Sequence, residues 1–381
     1  METIDWLLSS RSHGNVFAEQ YEPVLFRLTQ QQDRLAFENL LREHPDILVH
    51  DTIQNQLREL IKIQHPAERL DEKQLDELVK QHLGDVPMEI YGVWAYYPWQ
   101  RKIVHILDEE EFIALRTNRN LYKITKEEQK ILATKKIGII GLSVGQSVAL
   151  TLAMERSFGE LRIADFDTLE ITNLNRLRTP LYNLGLQKTV IVAREIKEMD
   201  PYLHVVCFHE GIHEQNLDDF LVQNGKLDVL VDECDSVQIK VKSRLRAKEL
   251  GIPVVMETSD RGLIDVERFD LEPERPIFHG LMEEDELKHT NWNGMTAAER
   301  MHIVMKIVNY EQLSERMKES LAQIGKSIGT WPQLASSVVA GGAHLAAIIR
   351  LILLGYPVSS GREYFDVEDY WMRKQVEIQA K

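Results

Sequence analysis

The stretch KKIGIIGLSVGQSVALTLAMERSFGELRIADFD (135–167) runs as an apolar strand, a glycine-containing turn, a helix and a second strand ending in aspartate. That order is one β-α-β unit of a parallel sheet. Three more strand candidates follow: HVVCF (204–208), LDVLVDE (227–233) and IPVVMET (252–258). The helical stretches between them suit right-handed crossovers. Beyond about residue 270 the pattern becomes helical, first ERMHIVMKIVNYEQLSERMKESLAQI, then WPQLASSVVAGGAHLAAIIRLILLG, with EYFDVED (363–369) as a closing strand. The fold class is therefore α/β, a Rossmann-like and mostly parallel sheet.

Upstream the grammar differs. VLFRLTQQQDRLAFENLLREH and DTIQNQLRELIKI carry apolar residues at three- and four-residue steps, which predicts short amphipathic helices up to about residue 85. DEKQLDELVKQHLG repeats the pattern and stops at Gly84, a helix C-cap. EIYGVWAYYPWQRKIVHIL (89–107) is rich in aromatic and β-branched residues, and Pro98 divides it into two strands and a turn. The chain thus divides into an N-terminal helical region (1–88) for peptide binding or dimerisation, a strand pair with a connecting helix (89–125), and a nucleotide-binding domain (126–381). The last has its core at 135–270 and its C-terminal helices and closing strand at 271–381.

Composition narrows the function. A net charge of −15 over 381 residues argues against a duplex-binding surface, which needs cations to neutralise phosphates. The basic run IKVKSRLRAKEL (239–250) fits the solvated face of a helix at least as well as a basic cleft. Two cysteines, Cys207 and Cys234, cannot form a four-cysteine zinc site or a disulfide framework. METIDWLLSS lacks the basic start and apolar run of a secretory signal, and LAAIIRLILLG (345–355) is short for a bilayer span, so a buried helix in a cytoplasmic protein is expected. HEGIH (209–213) spells a zinc-protease motif, but its glycine and its place after a strand make a helix there unfavourable, and no zinc site is expected.

The chemistry concentrates after the first β-α-β unit. GLSVGQS (141–147) holds the phosphate-turn position: Gly141 makes the turn, and the helix behind it presents N–H groups to an anion. Ser143 stands where a second glycine is usual, and Gly145 displaces the third. Asp165 follows Gly141 by 24 positions, near the roughly 20-residue offset of a ribose-binding carboxylate. To this point an NAD(P) oxidoreductase is equally served. DFDTLEITNLNR (165–176) then adds Asp167, Asn173, Asn175 and Arg176, Lys188 opens the next helix, and DECDS places Asp232 and Asp235 at the same sheet edge. Several carboxylates, an arginine and a lysine facing a glycine turn suit a triphosphate with Mg²⁺, where oxygen ligands hold the hard cation.

This ordered set resembles the ubiquitin-activating-enzyme-like (ThiF, MoeB, HesA) superfamily, which adenylates carboxylates. The resemblance covers roughly residues 110–381, and TNLNR is its most specific part. It implies ATP and Mg²⁺ as cofactors, Asp165 as the ribose acid, and Asp235 with Asp167 on the magnesium side. Gly141, Ser143, Gly145, Asn173, Arg176 and Lys188 become phosphate contacts. It nominates Arg119, in RTNRN (116–120), as an arginine supplied across a homodimer. This chain lacks the two CxxC pairs many members use for zinc, and neither cysteine suits a thioester: Cys207 lies in an apolar run and Cys234 inside DECDS. Length and the N-terminal extension are most similar to the superfamily's peptide-maturing members. That implies activation of glutamate side chains in a precursor peptide and cyclisation without a thioester. A ubiquitin-like or sulfur-carrier activator and a tRNA-modifying cyclase are the alternatives within the superfamily. No membrane or nucleic-acid partner is expected.

Overall fold

The structure, a computed structural model, describes residues 18–372; METIDWLLSS and the final residues lie outside the described residues. The described residues form two compact units, one of 18–126 with 194–202, the other of 127–193 with 203–372.

In the first unit, strands β1 (Val24–Phe26), β2 (Leu48–Asp51), β3 (Val93–Tyr97) and β4 (Lys102–Ile106) form a sheet in the order β1-β3-β4-β2. The antiparallel β3-β4 pair is the one expected over 89–107, turning through Pro98–Gln100 with Arg101 at φ +48°. β1 and β2 correct the helical reading of the N-terminal region. VLF pairs antiparallel with β3, and LVHD pairs parallel with β4. Those partners lie far along the chain, so local periodicity carries no sign of them.

Helices α1 (Gln31–Glu43), α2 (Ile53–Gln64), α3 (Glu72–Leu83) and α4 (Glu109–Arg116) complete the unit. Helix α3 opens with a reciprocal capping box, Asp71 with Gln74, and closes on Gly84 at φ +58°. Leu57, Leu60 and Ile61 of α2 share a core with Leu75, Val79 and Leu83 of α3, as the three- and four-residue spacing requires.

The second unit is built on β5 (Lys136–Ile140), β6 (Glu160–Ala164), β7 (His204–Phe208), β8 (Val229–Asp232), β9 (Val254–Thr258), β10 (Leu263–Glu267) and β11 (Gly361–Tyr364). Their order is β11-β10-β9-β8-β5-β6-β7, with β9-β8-β5-β6-β7 parallel and β10 and β11 antiparallel at one end. The parallel part is a Rossmann arrangement, and its order reverses between β5 and β8. Open α/β sheets take ligands at that switch point.

Around the sheet lie α5 (Lys126–Leu132), α6 (Gly145–Glu155), α7 (Lys188–Met199), α8 (Leu217–Val222), α9 (Val237–Leu250), α10 (Glu284–Lys288), α11 (Ala297–Ile307), α12 (Glu315–Leu321) and α13 (Ala335–Leu353). Strand side chains alternate between the two layers. Ile140, Leu230 and Met256 enter a core with Val241 and Ala247 of α9. A side-chain carbon on Gly145 of α6 would lie 2.7 Å from Ile139, which marks α6 as the cover of the other face. Burial on both faces is why these strands read as unbroken apolar runs. Helix α13 packs on α6 and on β9. By length and composition alone it is apolar enough to cross a membrane, yet Val338, Leu345, Ala346 and Ile349 are buried against its neighbours.

Strand β10 was not anticipated. LIDVE reads as a mixed run because Asp265 and Glu267, although charged, are buried.

Candidate active site

The glycine turn is fixed by a close approach. Gly141 has φ +90°, and a side-chain carbon there would lie 2.6 Å from the Glu233 carbonyl oxygen, which follows β8. Only glycine combines that dihedral with that contact. Gly141→Ala is therefore expected to destabilise the fold by about 2 kcal/mol or more, read as a lowered urea midpoint, because strain and clash act together. Helix α6 then starts at Gly145 with Val144 as its cap and no side-chain bond to its first N–H groups. An anion is the natural partner for such an end.

Asp165 leaves β6 buried to 8% exposure, and its two oxygens accept separate backbone bonds, from Leu142 at 2.7 Å and Asp167 at 2.8 Å. It thereby ties the glycine turn to the second strand end. Burial pushes its carboxyl up, and the Lys188 charge and the two N–H donors pull against that. Lys188, at the first position of α7 and nearly buried, donates to Ser143 Oγ at 3.0 Å and to Asp167 Oδ2 at 2.7 Å. Ser143, Asp165, Asp167 and Lys188 thus meet across 45 residues of sequence.

The connection between Asp167 and Lys188 is a closed loop. Lys188 N–H donates to the Asp167 carbonyl at 3.0 Å, and Leu169 exchanges bonds with Leu186 and Gly185 at 2.8 and 2.9 Å. Gln146 of α6, buried and unforeseen, holds the loop from the other side through the Arg178 backbone, accepting at 3.1 Å and donating at 3.4 Å.

Within that loop Asn173, Asn175 and Arg176 of TNLNR separate. Asn173 uses its carbonyl on the Glu170 N–H at 3.0 Å, a turn cap rather than a free amide. Asn175 donates to the Gln333 carbonyl at 2.8 Å and accepts from Arg176 at 2.9 Å. Arg176 keeps a buried Nε with no hydrogen-bond partner among the described residues. Burial lowers its pKa, and the nearby Asp235 charge opposes the shift. Asp235 is exposed after β8, and its carboxylate has no hydrogen-bond or ion-pair partner among the described residues. Its hard oxygens fit Mg²⁺, which ordinarily takes one or two carboxylates and draws its remaining ligands from substrate phosphates and water. Asp167, half exposed but engaged by Lys188, can offer its second oxygen.

Several sequence readings are corrected. Asp232, paired with Asp235 in the sequence reading, is fully buried and ion-paired to Arg244 and to Lys240 at 3.3 Å. The run 239–250 is therefore a solvated face only in part: Lys242 and Arg246 pair with exposed Glu214 and Asp218, whereas Arg244 is 0% exposed, joins Asp232 to Glu267 at 2.7 Å, and stacks on Phe278 at 4.3 Å. A helical spacing of charges cannot distinguish solvent from buried partners supplied by other strands.

Arg119 lies exposed in a short 3₁₀ turn, Asn118–Asn120, of the first unit. HEGIH forms a turn with Gly211 at φ +70°; His209 bonds Thr189 at 2.7 Å and His213 faces Glu210 at 3.3 Å. Cys207 is partly buried in β7. Cys234 donates to Asp232 at 3.1 Å, and burial together with that carboxylate pushes its thiol up, away from the nucleophilic thiolate.

Two acids were missed. Glu233 lies beside Gly145 and accepts the Glu257 N–H at 2.8 Å. Glu257 of β9 is 4% exposed, and burial pushes it up to about 8. Their only sequence signal is an acid inside each apolar strand end.

The ThiF family model matches residues 115–351, and the chain belongs to the ThiF family. An uncharacterized protein of Mycobacterium tuberculosis is 44% identical over 274 residues, covering 72% of this chain and 38% of that protein. The molybdopterin-synthase adenylyltransferase of Haemophilus influenzae is 24% identical over 229 residues, 59% of this chain and 90% of that protein. Among solved structures, PaaA aligns with a TM-score of 0.48 at 17% identity, covering 80% of this chain and 83% of that one.

Proposed function

We propose that the chain is a cytoplasmic ATP-dependent adenylyltransferase. In this reading it activates glutamate side chains of a ribosomally made precursor peptide and closes a ring without a cysteine thioester. The observation that carries the adenylation is the gathering of Asp165, the Ser143–Asp167–Lys188 cluster, Arg176 and Asp235 around one glycine turn.

A carboxylate is already ionised at neutral pH, so its attack on the α-phosphate needs no general base. The barrier lies in bringing two anions together and in the charge on departing pyrophosphate. Asp165 orients the ribose, the α6 end and Lys188 bind phosphate oxygens, and the unpartnered Nε of Arg176 faces developing charge. Mg²⁺ held by Asp235 would supply further charge neutralisation. We assign Arg119 to the same phosphates from the second copy of a homodimer.

The peptide substrate is supported by a first unit with its own sheet and by a cysteine count too low for two CxxC pairs. The similarity to a molybdopterin-synthase adenylyltransferase keeps a carrier-protein tail as the second reading. Substrate-dependent ATP–pyrophosphate exchange separates them, run with a glutamate-rich peptide, a Gly-Gly-tailed carrier and tRNA in turn. Exchange is expected with the peptide. Exchange with none of them, alongside tight NAD binding, would overturn adenylation.

A further inference from the structure

Along the carboxyl edge the sheet order β6-β5-β8-β9 presents Asp165, then Gly141, then Glu233 and Asp235, then Glu257. A nucleotide laid from Asp165 across the glycine turn brings its phosphates to β8. Strand β9 adjoins β8 on the side away from Asp165. Glu257 waits there with both carboxyl oxygens buried and without a hydrogen-bond partner among the described residues. It lies so close under α13 that a side-chain carbon on Gly341 would stand 2.5 Å from its carboxyl carbon. Glu233 adds a second carboxyl beside it. Two residues beyond Glu257, Ser259 Oγ is also buried without a hydrogen-bond partner among the described residues, and so is Nδ1 of His344, three residues beyond Gly341 on α13. Such groups are costly unless a ligand satisfies them. All of them can accept, and two are acids. The complementary ligand is a compact cation with several N–H donors, which describes an ammonium group.

We propose that Glu257 receives the amine of the acceptor that captures the activated acyl group, which makes the nucleophile a primary or secondary amine; this rests on the adenylation reading above. The acceptor arrives as an ammonium and gives one proton to the Glu257 carboxylate. Its nitrogen lone pair then forms the C–N bond at the acyl carbon. The bond from that carbon to the AMP oxygen breaks, and AMP leaves with the electron pair. The second nitrogen proton passes to water, and Glu257 returns its own to solvent. Glu257 titrates near the pH at which such exchange is efficient.

The test uses the full chain, ATP, a glutamate-rich peptide and n-propylamine. Glu257→Gln is expected to lower amine-dependent AMP release about 100-fold more than it lowers ATP–pyrophosphate exchange, with Glu257→Asp recovering part of the loss. Equal losses in both assays, or undiminished AMP release, would overturn the proposal. A second measurement needs no turnover: n-propylammonium should give a saturation-transfer NMR signal with the wild type that Glu257→Gln removes. Displacement of that signal by K⁺ at equal concentration would mark an inorganic cation site and also overturn it. If the wild type shows no exchange but retains the Glu257-dependent ammonium signal, the adenylation reading fails while the amine site stands.

Discussion

Replacing Asp235 by alanine is expected to reduce ATP–pyrophosphate exchange by about 10³-fold while leaving the unfolding midpoint unchanged. Both halves of that expectation come from its setting. The carboxylate is exposed and has no hydrogen-bond or ion-pair partner among the described residues, so its loss leaves no buried group behind. Its charge acts on Arg176, whose buried Nε is itself without a hydrogen-bond partner among the described residues. Two opposite charges that do not pair, at the switch point of a parallel sheet, are arranged for a third party. Asp235→Asn is the sharper comparison: it keeps the shape and removes the charge. Exchange at the wild-type rate in both variants would remove Asp235 from the mechanism.

Arg244→Met is expected to have the largest effect on stability, about 3–5 kcal/mol. Arg244 is enclosed between Asp232 and Glu267, with Lys240 beside Asp232. Burial alone would push Asp232 up, and Lys240 and Arg244 outweigh it and hold it below the ordinary carboxylate range. In the wild type its contribution is complete above the unfolded carboxylate value and is lost as pH falls through the lower folded one. Glu267 is already pushed up by burial despite Arg244. Without the arginine both acids should titrate above their unfolded values, so the penalty is present at neutral pH and shrinks on acidification. Urea midpoints of variant and wild type at about pH 5 and about pH 8 decide it: the gap should be wider at the higher pH. A gap that narrows with rising pH would show that the cluster does not carry the stability.

The fold was legible where the pattern is local. The unit from Lys136 to Asp167 declares itself because glycine, apolar runs and a terminal acid fall in the order a β-α-β unit demands. Strands β1 and β2 were hidden because their pairing is non-local, and β10 because its buried acids mimic an exposed strand. The site divides in the same way. Asp165 could be singled out from its spacing to Gly141, Lys188 from opening the next helix, and Asp235 from following a strand at the same sheet edge. Asp232 and Asp235 look alike in DECDS, yet one is locked to Arg244 and the other is exposed. That difference depends on a helix and a strand supplied later in the chain, and no spacing within the motif encodes it. Glu257 escaped notice because a single acid in an apolar strand usually marks an edge, and only the packing of Gly341 shows it to be enclosed.

The closed loop between Asp167 and Lys188 has an evolutionary consequence. Its two ends are bolted together at Leu169, Gly185 and Leu186, and Gln146 grips it at Arg178. The stretch between Arg178 and Gly185, including exposed Leu181 and Tyr182, can therefore be lengthened, shortened or rewritten without shifting Lys188 or Arg176. A lineage could change which substrate it admits by editing this one segment, while the machinery that handles ATP is inherited intact.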